Sequence, residues 1–131
     1  LGDRFRLNDI RIVQLPSPSK GTMLLLMAGF EHSQCCYFAL GEVGKPAERV
    51  ADEAVDALLA FLVTGAAIDQ YLADQLLLPL AFADDTSTLH TSKVTNHLLT
   101  NAQVLRAFLP VNIEISGEID QPGTVRIDPS Q

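Results

Sequence analysis

The feature that most constrains this chain is one helical stripe set between short runs of strand period. After Gly44-Lys45-Pro46, the apolar residues Val50, Ala54, Leu58, Phe61 and Leu62 recur at helical spacing and form a single apolar face. Glu48, Asp52, Glu53 and Asp56 fall on the opposite side and complement the positive N-terminal end. Pro46 stands where a missing N–H costs nothing, and Gly65 closes the pattern. A helix with one apolar side must bury it against a second layer. The residues before it offer that layer. Residues 22–30 and 34–40 are dense apolar runs, and Glu31-His32-Ser33 between them predicts a hairpin turn. Cys35, Tyr37 and Ala39 would line one face of the second strand, and Cys36, Phe38 and Leu40 the other. A strand apolar on both faces is expected inside a covered sheet.

The remaining elements follow from local signals. Residues 5–15, with Ile10, Ile12 and Val13, read as a first strand, and residues 16–21 as a loop rich in Pro and Ser. Asp69 is placed to cap a second helix over 70–81, with Pro79 kinking or ending it. Residues 84–87 read as a turn and 88–95 as a strand. Asn96 is the expected cap of a third helix over 97–108, closed by Pro110. Val111, Ile113 and Ile115 alternate with polar residues as a half-buried strand does. Gln121-Pro-Gly123 then turns the chain into a last strand over 124–128. The order βββ–αα–β–α–ββ predicts an α+β fold of layered sheet and helix. Leu1-Gly2 reads as the end of a helix whose body lies upstream, so the chain is expected to be a piece of a larger one.

Composition removes several classes. With 47% apolar and 19% charged residues in 131, disorder is not the default. No apolar run approaches the ~18 residues of a membrane span, so no membrane partner is expected. The net charge is −7, and its distribution is uneven: residues 1–20 hold four basic and two acidic groups, the rest five basic and fourteen acidic. An acidic surface repels a phosphate backbone, so bulk charge does not announce nucleic-acid binding. Cys35 and Cys36 are adjacent, a poor geometry for a disulfide, and no CxxC spacing occurs. A reduced, cytoplasmic chain is expected.

Three histidines are available for chemistry. His32 falls in the hairpin turn and His90 in mid-strand, and both read as solvated side chains. His97 stands in the first turn of a predicted helix, just after a strand. Free N–H groups and partial positive charge gather there, which favours a neutral imidazole and can hold a phosphate. A histidine that merely caps is the competing reading. Tyr71, Asp74 and Gln75 recur at i, i+3 and i+4 and share one face of an otherwise apolar helix. Either they meet a ligand, with Asp74 a candidate magnesium ligand, or they form the solvent face of an amphipathic helix.

Two blocks carry a resemblance. Tyr71-Leu-Ala-Asp-Gln-Leu-Leu-Leu-Pro-Leu-Ala81 is followed, after a short strand, by His97-Leu-Leu-Thr-Asn101 and Phe108-Leu-Pro110. In this order and spacing they resemble the C-terminal part of the RNA 3′-terminal phosphate cyclases. The Ala47-Glu-Arg-Val-Ala-Asp-Glu-Ala segment and the Gly65-Ala-Ala67 break are also similar to that family. The resemblance implies an enzyme using ATP and Mg2+ (or another divalent cation) to convert an RNA 3′-phosphate to a 2′,3′-cyclic phosphate. It implies His97 as the nucleophile that becomes a covalent histidine–AMP. It implies Tyr71 as a stacking surface for adenine, and Asp74 and Gln75 as polar or metal-linked contacts.

The same resemblance implies a large domain of repeated βαβαββ-like units with a smaller inserted domain. Residues 1–66 would match the end of the insert and 67–131 the return to the large domain. A complete cyclase is more than twice this length, and its N-terminal half carries a glycine-rich segment and phosphate-handling arginines that this chain does not contain. That missing half and RNA 3′-phosphate ends are the expected partners. Exposed sheet edges would also invite pairing with a second copy. A non-catalytic, cyclase-like RNA-processing factor and a small oligomerising interaction domain are the alternatives. His97 argues against the former, since that branch characteristically lacks the histidine.

Overall fold

A computed structural model describes residues 8–18 and 20–129. The elements run β1 (Thr22–Gly29), β2 (Gln34–Gly41), α1 (Ala47–Val63), α2 (Gln70–Leu80), β3 (Ser87–Thr91), α3 (Asn96–Phe108), β4 (Val111–Ser116) and β5 (Gly123–Pro129). The fold is α+β, as the periodicities require. The chain divides into two compact units: one holds the described residues up to Leu26 together with Cys36–Leu58, the other Met27–Cys35 and the residues from Leu59 onward.

In the first unit, Leu24 and Leu26 of β1 and Ala39 of β2 pack against Val50 and Ala54 of α1. The stripe on α1 is buried as its spacing demands, and the four acidic residues opposite it are exposed. Lys45 donates to the Leu40 carbonyl and to the Glu53 carboxylate, which ties the loop before α1 to its second turn. Two expectations fail here. Residues 8–15 form no strand: Ile10, Ile12, Val13 and Leu15 are all exposed, and alternation without a neighbouring strand has no ladder to join. Residues 5–7 of that expected strand, and Leu1-Gly2, lie outside the described residues. The hairpin β1–β2 is also covered on one face only. Met23, Leu25, Phe38 and Leu40 on its other face stay exposed among the described residues, because α1 occupies a single side.

The second unit holds the larger core. Its sheet has the order β3-β5-β4, and both pairings are antiparallel. The register sets Leu89 opposite Val125 and Val125 opposite Ile115, with Ile127 opposite Ile113. These residues form one face, which packs under α2 and α3 through Ala73, Leu77, Leu98 and Ala102. Thr88, Arg126 and Glu114 form a row on the opposite, solvated face. Leu77, Leu98, Ile113, Val125 and Ile127 are wholly buried. Burying side chains of this size is worth about 1.5–3 kcal/mol each, so this layer pair is where the unit removes most of its large apolar side chains from water.

α2 ends at Leu80, just beyond Pro79, as the proline predicted. β3 is shorter than expected and stops at Thr91. The chain then leaves the ladder because Ile68 forms a parallel bridge with Thr91 and Val94 another with Ile119.

Candidate functional site

α2 and α3 rise from the same end of the second unit. Ser92 donates to the Ile68 carbonyl, which places the entry to α2 beside the segment that leads into α3. Asp69 caps α2 by accepting the backbone N–H groups of Tyr71 and Leu72, both at 2.8 Å. Its carboxylate satisfies two of the orphan donors of the first turn. The cap of α3 differs from expectation. Thr95, not Asn96, stands at the cap in extended conformation, and its hydroxyl accepts the Leu98 N–H at 3.1 Å. Asn96 is the first helical residue and His97 the second. The reason is tertiary: Val94 is pinned between Gln121, whose carbonyl takes its N–H, and Asp120, whose N–H donates to its carbonyl. Turning therefore starts one residue earlier than side-chain preference alone suggested.

His97 is exposed in the first turn of α3. Among the described residues no hydrogen bond or ion pair holds its imidazole. The first-turn N–H groups of α3 give this end of the helix a positive field. Asn101 follows one turn later on the same face of α3. Its side-chain amide donates to a carboxylate oxygen of Asp74, in the second turn of α2. Asp74 is half-buried, while Tyr71 and Gln75 beside it on the same face of α2 are exposed. Tyr71 is 65% exposed, so its ring is available as a platform.

The structure thus joins the two sequence blocks through Asp74 and Asn101. It leaves His97, Tyr71 and Gln75 flanking that bond on the two helices, without direct hydrogen bonds between them among the described residues. Asn101 belongs to the motif but had no role assigned to it. Its spacing of four residues from His97 was the available signal. The other histidines are solvated as expected: His32 is exposed beside Glu31, and His90 meets Thr124 across the open sheet face at 3.1 Å.

The approach of the helices has a packing cause. Ala73 and Ala102, adjacent in sequence to Asp74 and Asn101, are wholly buried in the core between sheet and helices. Small side chains at a contact shorten the interaxial distance, which lies at 8–10 Å in general and depends on the residues that meet. The residues fit the expected co-substrates in part. An open aromatic ring suits a purine face. One carboxylate with an oxygen still available suits a magnesium ion that keeps waters and shares nucleotide phosphates. Among the described residues no group of three or more His, Cys, Asp or Glu gathers into a metal cage. Nor is any helix there long and apolar enough to cross a membrane.

Comparison with known proteins identifies a family. The pattern of the family described as RNA 3′-terminal phosphate cyclase matches residues 5–115. A cyclase of this name from Methanopyrus kandleri is 48% identical over 91 residues, covering 70% of this chain and 26% of the relative. One from Methylococcus capsulatus is 42% identical over 113 residues, covering 86% of this chain and 31% of the relative. One from Thermococcus onnurineus is 47% identical over 89 residues, 68% of this chain and 26% of the relative. The chain therefore spans about a quarter to a third of the length of the curated relatives it matches. By the extent of the family match, this chain belongs to the RNA 3′-terminal phosphate cyclase family.

Proposed function

We propose that the chain carries the nucleotidyl-transfer segment of an ATP-dependent RNA 3′-phosphate cyclase, with His97 as nucleophile. The observation that supports this most is the placement of an unengaged His97 in the first turn of α3, one turn from the Asn101–Asp74 bond that ties α3 to the helix bearing Tyr71 and Gln75. In the proposed reaction a ring nitrogen of His97 attacks the α-phosphorus of ATP. The N–P bond forms, the bond to the bridging oxygen breaks, pyrophosphate leaves, and the ring proton passes to solvent. An oxygen of the RNA 3′-phosphate then takes the AMP and frees His97. The neighbouring 2′-hydroxyl attacks the activated phosphorus, closing the cyclic phosphate, releasing AMP and giving up its proton.

Tyr71 stacks on the adenine, and Gln75 donates or accepts at its edge. Asp74 would hold a divalent cation through the oxygen left by Asn101, and that cation would neutralise phosphate charge. Residues 67–131 belong, in this proposal, to the catalytic body and residues 1–66 to the end of the inserted domain. Cys35 is buried and Cys36 exposed, and adjacent cysteines are poorly placed to pair with each other, which suits a cytoplasmic setting.

The test is incubation with α-labelled ATP and Mg2+, beside a His97→Ala control, with the chain alone and with the N-terminal portion of a full-length relative added. Acid-labile label on the chain that vanishes in His97→Ala supports the proposal. Label that survives His97→Ala, or none on the reconstituted enzyme, refutes it.

A further inference from the structure

We infer that a cavity on the open face of the second unit's sheet takes an unstacked base of the RNA, upstream of the reacting end, and that the His90–Thr124 pair reads the edge of that base whatever its identity. The inference rests on the reading of the chain as part of an enzyme that acts on RNA, and it adds a second place where the strand is held.

The cavity has a volume of about 270 Å³ and is lined by residues 64–66, His90, Thr91 and residues 122–124, all in the second unit. It lies where β3 ends at Thr91, beside the Ser92–Ile68 bond that brings the starts of α2 and α3 together. Leu89 packs toward the helices, so His90 beside it points to the opposite face of the sheet. His97 shares this end of the unit, so a strand held there by its 3′-phosphate brings upstream nucleotides to the cavity. The chain has a net charge of −7, yet among the described residues no Asp, Glu, Lys or Arg lines the cavity. It therefore suits a neutral polar group and not a phosphate.

The walls are fixed. Ala67 and Ile68 donate to the His90 carbonyl at 3.0 and 3.1 Å, and the Thr64 hydroxyl donates to the Phe61 carbonyl while accepting the Ala66 N–H. Thr91 is buried, with its hydroxyl turned to the Asp69 and Lys93 carbonyls. The side chains left for a ligand are His90 and Thr124, opposite each other in the ladder with Nδ1 3.1 Å from Oγ1. Their bond has two forms. When Thr124 donates to Nδ1, Nε2–H is a donor and Oγ1 keeps an accepting lone pair. When Nδ1–H donates to Oγ1, the Thr124 hydroxyl donates outward and Nε2 accepts. Either form offers one donor and one acceptor, and changing form exchanges them. The pairing edge of each base also sets a donor beside an acceptor, in one order in A and C and in the other in G and U. One pair thus serves all four bases, and the exposed imidazole and Pro122 supply surface for the ring.

The experiment uses the chain reconstituted with the N-terminal portion of a full-length relative. The probe is a six-nucleotide oligouridine with a 3′-phosphate, and a series in which one upstream base at a time is removed to leave an abasic ribose. Binding is read by fluorescence anisotropy. One abasic position is expected to raise the dissociation constant about tenfold in wild type. In His90→Ala and in Thr124→Val the same position should matter by less than about twofold, because its partner is gone. Thr124→Ser keeps the hydroxyl and should restore the penalty. Exchanging the base at that position among A, C, G and U should change binding by less than about threefold. The inference is overturned if no abasic position weakens binding, if the penalty is equal in wild type and both variants, or if one base is preferred more than about tenfold. A penalty that disappears when a non-hydrolysable ATP analogue saturates the enzyme assigns the cavity to a free nucleotide, and also overturns it. Label transfer from ATP in wild type and His97→Ala is followed in parallel and judges the nucleophile separately. Loss of that reading with the abasic pattern intact leaves the base cavity standing.

Discussion

The hydroxyl of Thr95 accepts the backbone N–H of Leu98 at 3.1 Å, and this bond sets the phase at which α3 begins. His97 lies between the two residues, so its position on the first turn depends on the cap. Replacing Thr95 by Ala should cost about 1 kcal/mol, the usual worth of such a cap. Asn96→Ala, at the position favoured by sequence preference, should cost under about 0.5 kcal/mol, as exposed substitutions do. Urea denaturation of the two variants decides between the caps.

Tyr71 is exposed on the face of α2 that carries Asp74. If it stacks on the adenine, Tyr71→Ala should raise the KM for ATP about tenfold in the reconstituted enzyme, within the ~1–3 kcal/mol typical of base stacking. Tyr71→Phe keeps the ring and should stay within about twofold. Equal loss in both variants would point to the hydroxyl instead.

Ala102 is wholly buried and adjacent to Asn101. Ala102→Leu inserts three carbons where α3 packs on the core, and overpacking of this kind costs about 1–3 kcal/mol. It should also separate the helices enough to break the Asn101–Asp74 bond. An amide spectrum would report that as a shift of the Asn101 side-chain resonance. A destabilised variant with an unmoved resonance would show that Ala102 does not govern the helix spacing.

Gly123 opens β5 against the segment leading to α3. A Cβ there would lie 2.4 Å from Val94 Cγ2 and 2.5 Å from the Ser116 carbonyl oxygen. Both are well inside van der Waals contact, and one is backbone. Gly123→Ala should therefore destabilise the chain by about 1–3 kcal/mol and displace Val94, which fixes the entry to Thr95. Thermal unfolding checks the first effect. Hydrogen exchange at the Leu98 amide checks the second.

The Asp128 carboxyl sits below its ordinary value of 3.8, chiefly because Thr86 donates to it and then because Arg126 does. A carboxylate lowered in the folded state contributes stability that is present above the unfolded value and lost as pH falls through the folded one. Thr86→Val should move the Asp128 titration midpoint upward and flatten the acid-side loss of stability. Carbon-13 titration of the carboxyl group and urea midpoints at neutral and acidic pH measure both.

Local signals placed most of the fold. The α1 stripe, the Asp69 cap, the stop at Pro79 and the alternation in β4 each express a periodicity or a donor that adjacent residues satisfy. The candidate site was legible only as two motifs, His97 to Asn101 on one helix and Tyr71, Asp74 and Gln75 on another. What the residues could not show was whether an alternating run such as 8–15 would find a partner strand, since pairing depends on an edge supplied from elsewhere.

The same limit governed the site. The amino-acid sequence by itself determined which side chains share a helix face, because helical spacing is a local property of 3.6 residues per turn. Only the tertiary structure decided that Thr95 caps α3 and that Asn101 reaches Asp74. Those outcomes follow from the bridge that pins Val94 to Ile119 and from the small side chains of Ala73 and Ala102. Distances between separate helices are set by what fills the space between them, and that volume is shared by residues remote in the chain.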